Sequence, residues 1–293
     1  LDKIIDILKE NGPQEGKNLI KKSGADSFKA WSFCNRHIDI CIKIIGRRFL
    51  RLDKRVEGYA RLSPSILREF LTYTVVGLSS DRKGIGLKAE GLRKRIDKIS
   101  RSKLDLAKNI VSRISGFPDE NTVFIIAGDV VYNMAHDEPR PEISTGQLVR
   151  GSDLDIIIVV KDAVGRHIER LDRDMYTHKY RLIKNPAYRE EIDYIVKDLK
   201  KVKEQLEFRG FASMVASKIL EEGQYLWGSR EMFRKIKEMV WAKGVPEKLK
   251  SLEKKAALER KNAKRYLLSA KSPATEAEHS RLFFTKEELD EIF

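Results

Sequence analysis

The sequence predicts an α/β (α+β) protein: a small sheet flanked by helices, with helical additions at the N- and C-terminal ends. Three observations carry this. Short, continuous apolar runs stand at the centre of the chain, at residues 123–127, 154–160 and 192–196, and runs of that length mark buried strands. A polar stretch of helical periodicity, residues 164–181, separates the last two, and strands alternating with helices predict a sheet covered by helices. The segments before about residue 115 and after about residue 199 carry apolar residues mainly at helical spacing.

From the N-terminus, Leu1, Ile4, Ile5 and Leu8 share a helical face, and Gly12-Pro13 breaks the chain. Leu19 and Ile20 mark a second helix that stops near Gly24. A third is expected over residues 26–37 with Asp26 as its cap. Ile38-Asp39-Ile40-Cys41-Ile42-Lys43-Ile44 alternates as a strand does, and Gly46-Arg47-Arg48 offers a turn into a second extended stretch at 49–52. Three helices followed by a hairpin is the order of a winged helix-turn-helix, which residues 1–76 resemble in layout. Ser63-Pro64 starts a helix over 64–76, because Ser63 can cap it and Pro64 sits where no amide donor is needed. Ile66, Leu67, Phe70 and Leu71 face inward from it.

Residues 77–86, with three glycines and two serines, read as a linker. A long basic helix is expected over 87–114, with Leu92, Ile96, Ile99, Leu104, Leu106 and Ile110 as its apolar stripe. Its charge comes from residues such as Lys88, Arg93, Lys94, Arg101, Lys103 and Arg113, and Gly116-Phe117-Pro118 ends it. Residues 199–268 read as helical with breaks at Gly223, Gly244 and Pro246, and a tail begins at Ser269-Ala270-Lys271-Ser272-Pro273. The expected division is therefore 1–76, 77–116 (linker and long basic helix), a core at 117–235, and a basic helical region with tail at 236–293.

The chain has 58 Lys plus Arg against 44 Asp plus Glu, a net charge of +14. That balance favours a polyanionic partner such as nucleic acid or a nucleotide. Cys34 and Cys41 can form no disulfide framework and lack partners for a structural zinc site. No apolar run reaches the ~18 residues of a membrane span, and the start does not resemble a signal peptide, so a cytoplasmic location without membrane contact is expected. The first residue is Leu, not Met. The five histidines lack metal-ligand spacing, and no Gly-rich loop ends in Lys-Ser/Thr. Arg173 and His178 have the Arg-x4-His spacing of helical ribonucleases, but they lie between two expected strands.

The most informative stretch is Gly151-Ser152-Asp153-Leu154-Asp155-Ile156-Ile157-Ile158-Val159. Side chains alternate along a strand, so Asp153 and Asp155 share one face while Leu154, Ile156 and Ile158 take the other. Two carboxylates so close repel. A hard cation removes that cost, and Mg²⁺ takes oxygen ligands while leaving positions for water or substrate phosphates. In Glu191-Ile192-Asp193-Tyr194-Ile195-Val196, Asp193 interrupts an apolar strand and needs a partner of the same kind. Each element alone also fits a solvated strand entry; their joint occurrence points to metal-assisted phosphoryl or nucleotidyl transfer.

This arrangement resembles the DNA polymerase beta-type nucleotidyltransferase superfamily over roughly residues 115–235. That pattern runs strand, Gly-Ser or Gly-Gly, helix, Asp-x-Asp on a second strand, and one Asp on a third. Ala127-Gly128-Asp129 follows the first apolar run, Ser152-Asp153-Leu154-Asp155 fits the second part, and Asp193 fits the third. Ile219-Leu220-Glu221-Glu222-Gly223-Gln224-Tyr225-Leu226-Trp227-Gly228 resembles the segment that closes the domain in small bacterial members. The resemblance implies a small mixed sheet as the nucleotidyltransferase core, Mg²⁺ (or Mn²⁺) as cofactor, and Asp153, Asp155 and Asp193 as catalytic metal ligands. It implies that Gly128 lets the backbone approach a nucleoside triphosphate, with Asp129, Arg150 and Ser152 beside it. Two departures stand out. The Ser usual after the glycine is Asp129 here, and the stretch from Gly128 to Asp153 is longer than usual, so that residues 136–150 read as an inserted loop. Ser152, or Arg140 and Arg150 of that loop, are the candidate substitutes as phosphate donors.

The activity implied is transfer of NMP or dNMP from a nucleoside triphosphate to a hydroxyl acceptor, with nucleic acid or a nucleotide favoured by the charge. Small bacterial members imply an antiphage or toxin–antitoxin setting, with a partner protein encoded nearby. Two alternatives stay open at this point: AMPylation of a protein, and a DNA-binding regulator with a degenerate catalytic domain.

Overall fold

A computed structural model describes residues 2–115, 120–142, 144–161, 165–269, 282–285 and 288. The chain divides into two compact units: residues 1–51, 61–96 and 253–293 form one, residues 52–60 and 97–252 the other. Leu1, Gly116-Phe117-Pro118, residue 164 and the tail from Ala270 to Thr275, all used in the sequence reading, lie outside the described residues.

The first unit begins α1 (Asp2–Asn11), β1 (Gln14–Glu15), α2 (Gly16–Ser23), α3 (Ser27–Arg36) and β2 (Ile40–Ile44). The side chain of Asp26 caps α3 by accepting from the Lys29 amide at 2.9 Å. Next come β3 (Phe49–Leu52), β4 (Ala60–Ser63), α4 (Ile66–Thr72), β5 (Thr74–Leu78) and α5 (Arg82–Ser115), which from residue 97 belongs to the second unit. The expected hairpin between residues 38–44 and 49–52 is not formed. β2 pairs with β5, and β3 pairs with β4, giving the antiparallel order β1-β5-β2. The reason lies in Thr74-Val75-Val76, a β-branched run buried at 0–1 % exposure, which suits a central strand and takes the partner that the nearer stretch was expected to supply.

That strand also shortens the helix before it. The predicted helix over 64–76 is α4, capped by Ser65 rather than Ser63, with the Ser65 hydroxyl accepting from the Arg68 amide at 3.1 Å. Ser63 belongs to β4. The stretch read as a linker, 77–86, is the end of β5 and the start of α5. Asp81 starts that helix, its carboxylate accepting from the Gly84 amide at 2.9 Å.

The second unit holds β6 (Thr122–Ile126), β7 (Pro139–Pro141), β8 (Leu148–Arg150), β9 (Leu154–Val160), α6 (Gly165–Lys184) and β10 (Ile192–Asp198). After them come α7 (Leu199–Gln205), α8 (Phe211–Glu222), β11 (Gln224–Gly228), α9 (Arg230–Ala242) and the start of α10 (Val245–Ser269), which from residue 253 belongs to the first unit. Residues 136–150 are not an open loop: β7 and β8 pair as an antiparallel hairpin. Pro246 does not break a helix but sits in the first turn of α10, where its missing donor is harmless. The segment around Gln224 is a strand rather than helix.

The sheet is mixed, in the order β10-β9-β6-β11, with β9 and β10 parallel and the other pairs antiparallel. Phe124, Ile126, Leu154, Ile156, Ile158 and Ile192 pack in one apolar cluster with Ala107, Ile110 and Val111 of α5 and Leu171 and Met175 of α6. Each fully buried side chain of this kind contributes about 1.5–3 kcal/mol. This layer fixes the strand edges from which the acidic residues project. Among the described residues no helix is long and apolar enough to cross a membrane.

Candidate active site

Asp153 immediately precedes β9, Asp155 is its second residue, and Asp193 is the second residue of β10. The parallel register sets Asp193 directly opposite Asp155, about 4.8 Å away across the ladder. One carboxylate oxygen from each of Asp153, Asp155 and Asp193 lies within 4.8 Å of the others. The alternation read from the sequence is thus realised, with the apolar face of β9 buried and the acidic face turned into one cluster.

Asp155 is the electrostatic centre. Burial, then the charges of Asp153, Asp129, Asp193 and Glu222, hold its carboxyl well above the usual range. Among the described residues no cation pairs with it, whereas its neighbours are partly neutralised. Arg140 lies 2.8 Å from Glu191 and 3.7 Å from Asp153, and Lys179 lies 3.2 Å from Asp193. Lys218 pairs with Glu222. Burial also raises the Glu191 carboxyl, Arg140 opposing this.

Gly128 opens the turn that follows β6, in left-handed conformation (φ +70°). A Cβ built there would lie 1.9 Å from the Asp155 Oδ2, so no other residue fits beside the cluster without moving it. Gly128→Ala is expected to keep the fold, as followed by circular dichroism, yet lower the initial rate of whatever reaction the cluster supports by about tenfold to a hundredfold, the scale of a 1 Å misplacement of a reacting group. An unchanged rate would mean that the Asp155 position does not govern turnover. Gly151 (φ +53°) has a matching role before β9, where a Cβ would meet the His136 carbonyl oxygen at 2.0 Å.

The other residues of interest fall as follows. Asp129 accepts a hydrogen bond from the Ser152 hydroxyl at 2.8 Å, and the same hydroxyl accepts from the His136 amide at 3.2 Å. Ser152 is thereby committed to internal bonds. Arg140 donates to the Gly151 carbonyl at 3.0 Å, bracing the approach to Asp153. Arg150 is exposed at the end of β8. The helix usual after the glycine is replaced by a 3-10 turn, Gly128–Val130. Trp227 packs against the apolar cluster, and the Tyr225 hydroxyl donates to the Gly228 carbonyl.

Glu222 was not anticipated as part of the site. Its carboxylate accepts from the Gly128 amide at 3.4 Å and from the Tyr132 hydroxyl. A signal was available: Glu221 and Glu222 end α8, where the helix dipole disfavours acids.

The donor set fits a divalent cation of the hard, oxygen-binding kind: carboxylates only, converging, with a central acid in need of positive charge. Residues 143–226 match the family model of the nucleotidyltransferase domain. No curated protein matches the chain. The matched residues include Asp153, Asp155, Asp193 and Glu222 and begin after Gly128 and Asp129. The mixed sheet and the facing carboxylates lie largely within the matched stretch, so the chain carries a nucleotidyltransferase domain over residues 143–226, which supports a nucleotidyltransferase enzyme.

Proposed function

We propose that this enzyme moves NMP or dNMP from a nucleoside triphosphate to a hydroxyl of a nucleic acid or nucleotide, releasing pyrophosphate, with Mg²⁺ or Mn²⁺ held by Asp153, Asp155 and Asp193. The observation that carries this reading is the meeting of the three carboxylates at one edge of the sheet. When bound, divalent ions supply charge for the triphosphate and make an acceptor hydroxyl more acidic. Asp153 and Asp155 hold the metal ions. Asp193, the most exposed of the three with a side chain 56 % accessible, receives the acceptor's proton on its carboxylate. Gly128 lets the backbone come close to the triphosphate, Ser152 orients Asp129 beside it, and the exposed Arg150 meets phosphate. Lys179 orients Asp193 through their 3.2 Å contact.

The net charge of +14 supports a polyanionic acceptor over a protein one. The antiphage or toxin–antitoxin setting and a neighbouring partner protein rest on the family resemblance alone. In the first unit, the order α1-β1-α2-α3-β2 with β5 returning between β1 and β2 supports a winged helix-turn-helix reading. There Phe283 packs on Phe28 and Trp31 of α3 at 5.3 and 5.2 Å between ring centroids, which argues against α3 as an open DNA-reading helix.

The test is incubation with Mg²⁺ and each labelled NTP and dNTP, with and without nucleic acid, beside Asp153→Ala/Asp155→Ala. Label should enter a product only with the intact protein, and the preferred nucleotide and acceptor then define the reaction. Label entering protein would assign AMPylation. Absence of turnover under every condition, with nucleic-acid binding unchanged in the variant, would leave a binding protein.

A further inference from the structure

The second half of α6 and the turn after it differ from the rest of the second unit. Residues 175–189 contain Lys179, Arg181, Lys184 and Arg189 and no acid. They also contain three tyrosines that stay in solvent: Tyr176 at 61 %, Tyr180 at 44 % and Tyr188 at 45 % exposure. Tyr176, Tyr180 and Lys184 follow one another at four-residue spacing, so they form one line along the helix. Leu171, Met175, Leu182 and Ile183 take the buried side. The helix therefore needs none of these tyrosines for its core, and exposing three large rings beside cations is not what solubility alone selects.

The position of this line is set by chain direction. β9 and β10 are parallel and carry the acids at their starts, so α6 returns to that same end. Lys179 confirms the return, reaching Asp193 at 3.2 Å, and the Arg150 amide donates to the Arg189 carbonyl at 2.7 Å. The Tyr194 hydroxyl donates to the Asp172 carbonyl at 3.0 Å, pinning the helix to β10. β10 is an edge strand, and Ile195, two residues past Asp193, is 49 % exposed. An exposed aromatic and basic line thus runs past the most accessible carboxylate of the cluster, which Lys179, next to Tyr180 in sequence, contacts.

We infer that this face of α6 binds the acceptor as a single-stranded nucleic acid, with bases stacked on Tyr176 and Tyr180 and the backbone beside Lys184, Arg181 and Arg189, so that the strand's terminal hydroxyl arrives at Asp193. The inference rests on the nucleotidyl-transfer reading for the role of that hydroxyl, and on the surface itself for the binding. Rings on a rigid helix stack any base, and cations placed alongside follow a phosphate backbone. A duplex hides its base faces and gains only from the cations. The Lys184 ammonium lies 4.3 Å from the Tyr180 ring centroid, so ring and cation are offered together at a side chain 44 % exposed.

The test is fluorescence anisotropy with fluorescein-labelled twelve-residue dT and rU strands and a labelled hairpin duplex, at low and moderate salt. The intact protein should prefer the single strands, and Asp153→Ala/Asp155→Ala should bind them at least as well. Tyr176→Ala/Tyr180→Ala should bind about tenfold or more weaker, the scale of a lost base stack. Tyr176→Phe/Tyr180→Phe should retain binding, since the ring and not the hydroxyl is used. Unchanged affinity in the double alanine variant, equal binding of the duplex, or equal competition by poly-glutamate, which has charge but no bases, would overturn the inference. Transfer is measured separately: tyrosine-dependent binding without any turnover would sink the enzymatic role of this chain and keep the surface.

Discussion

Asp155→Asn is expected to abolish nucleotidyl transfer while making the metal-free protein more stable. The two effects share a cause. Asp155 sits half-buried, and desolvation, then the charges of Asp153, Asp129, Asp193 and Glu222, push its carboxyl up. Without a cation its negative charge opposes folding, and removing that charge at nearly constant volume should raise the unfolding free energy by on the order of 1–3 kcal/mol. In the proposed metal-assisted reaction the same charge is what would hold the cation. A metal ion contributes several kcal/mol of charge stabilisation in such reactions, and each ~1.36 kcal/mol is tenfold in rate, so the rate should fall by about a thousandfold or more. Thermal melting with and without Mg²⁺ reads the first effect: the parent should gain stability with the ion, and the variant should start higher and gain little. Labelled transfer reads the second. A variant less stable than the parent in the absence of metal would show that Asp155 is held by partners rather than strained by neighbours, and the metal assignment would lose its main support.

How much of this was legible follows from how far apart the determining residues lie. That Asp153 and Asp155 share a face is legible because strand periodicity is local: two residues on, the side chain returns to the same face, and the apolar run marks β9 as Leu154–Val160. The Asp26 cap on α3 is likewise a matter of four residues. The pairing of β2 is not legible locally because it depends on Thr74-Val75-Val76, some thirty residues further on. The hairpin of β7 and β8 looked like a loop because three-residue strands carry too little alternation to register. β11 was absorbed into a helical stretch for the same reason, its five residues being flanked by helices on both sides. Glu222 joins the site from 94 residues beyond Gly128, and only its place against the helix dipole marked it. The aromatic line on α6 fell inside a stretch whose helical pattern was recognised; what the pattern could not show was which end of the sheet the helix returns to.

Lys103→Ala is expected to destabilise the second unit more than any change on its surface. In the sequence this lysine belongs to the charged side of a long basic helix, and nothing local distinguishes it from Lys98 or Lys108. In the fold its side chain is 4 % exposed and pairs with Glu190, and its ammonium also donates to the Arg150 carbonyl at 3.0 Å. Burial raises the Glu190 carboxyl, and Lys103 is the first of the charges that oppose this. Removing the cation leaves a mostly desolvated carboxylate with only the charge of Arg150 to oppose its burial, at a cost of up to about 3–5 kcal/mol. Urea denaturation followed by far-ultraviolet circular dichroism should show that loss. Lys103→Met/Glu190→Gln, which removes both charges and keeps the volume, should lose far less, since a buried pair contributes little net once both partners go. Equal losses in the two variants would place the effect in packing instead. The consequence reaches the chemistry through the backbone: Arg150 is followed by Gly151, Ser152 and Asp153, so releasing its carbonyl frees the start of β9. Transfer by Lys103→Ala should therefore fall even below the temperature at which the unit melts, and the double variant, which also lacks the ammonium at Arg150, should share that loss while keeping its stability.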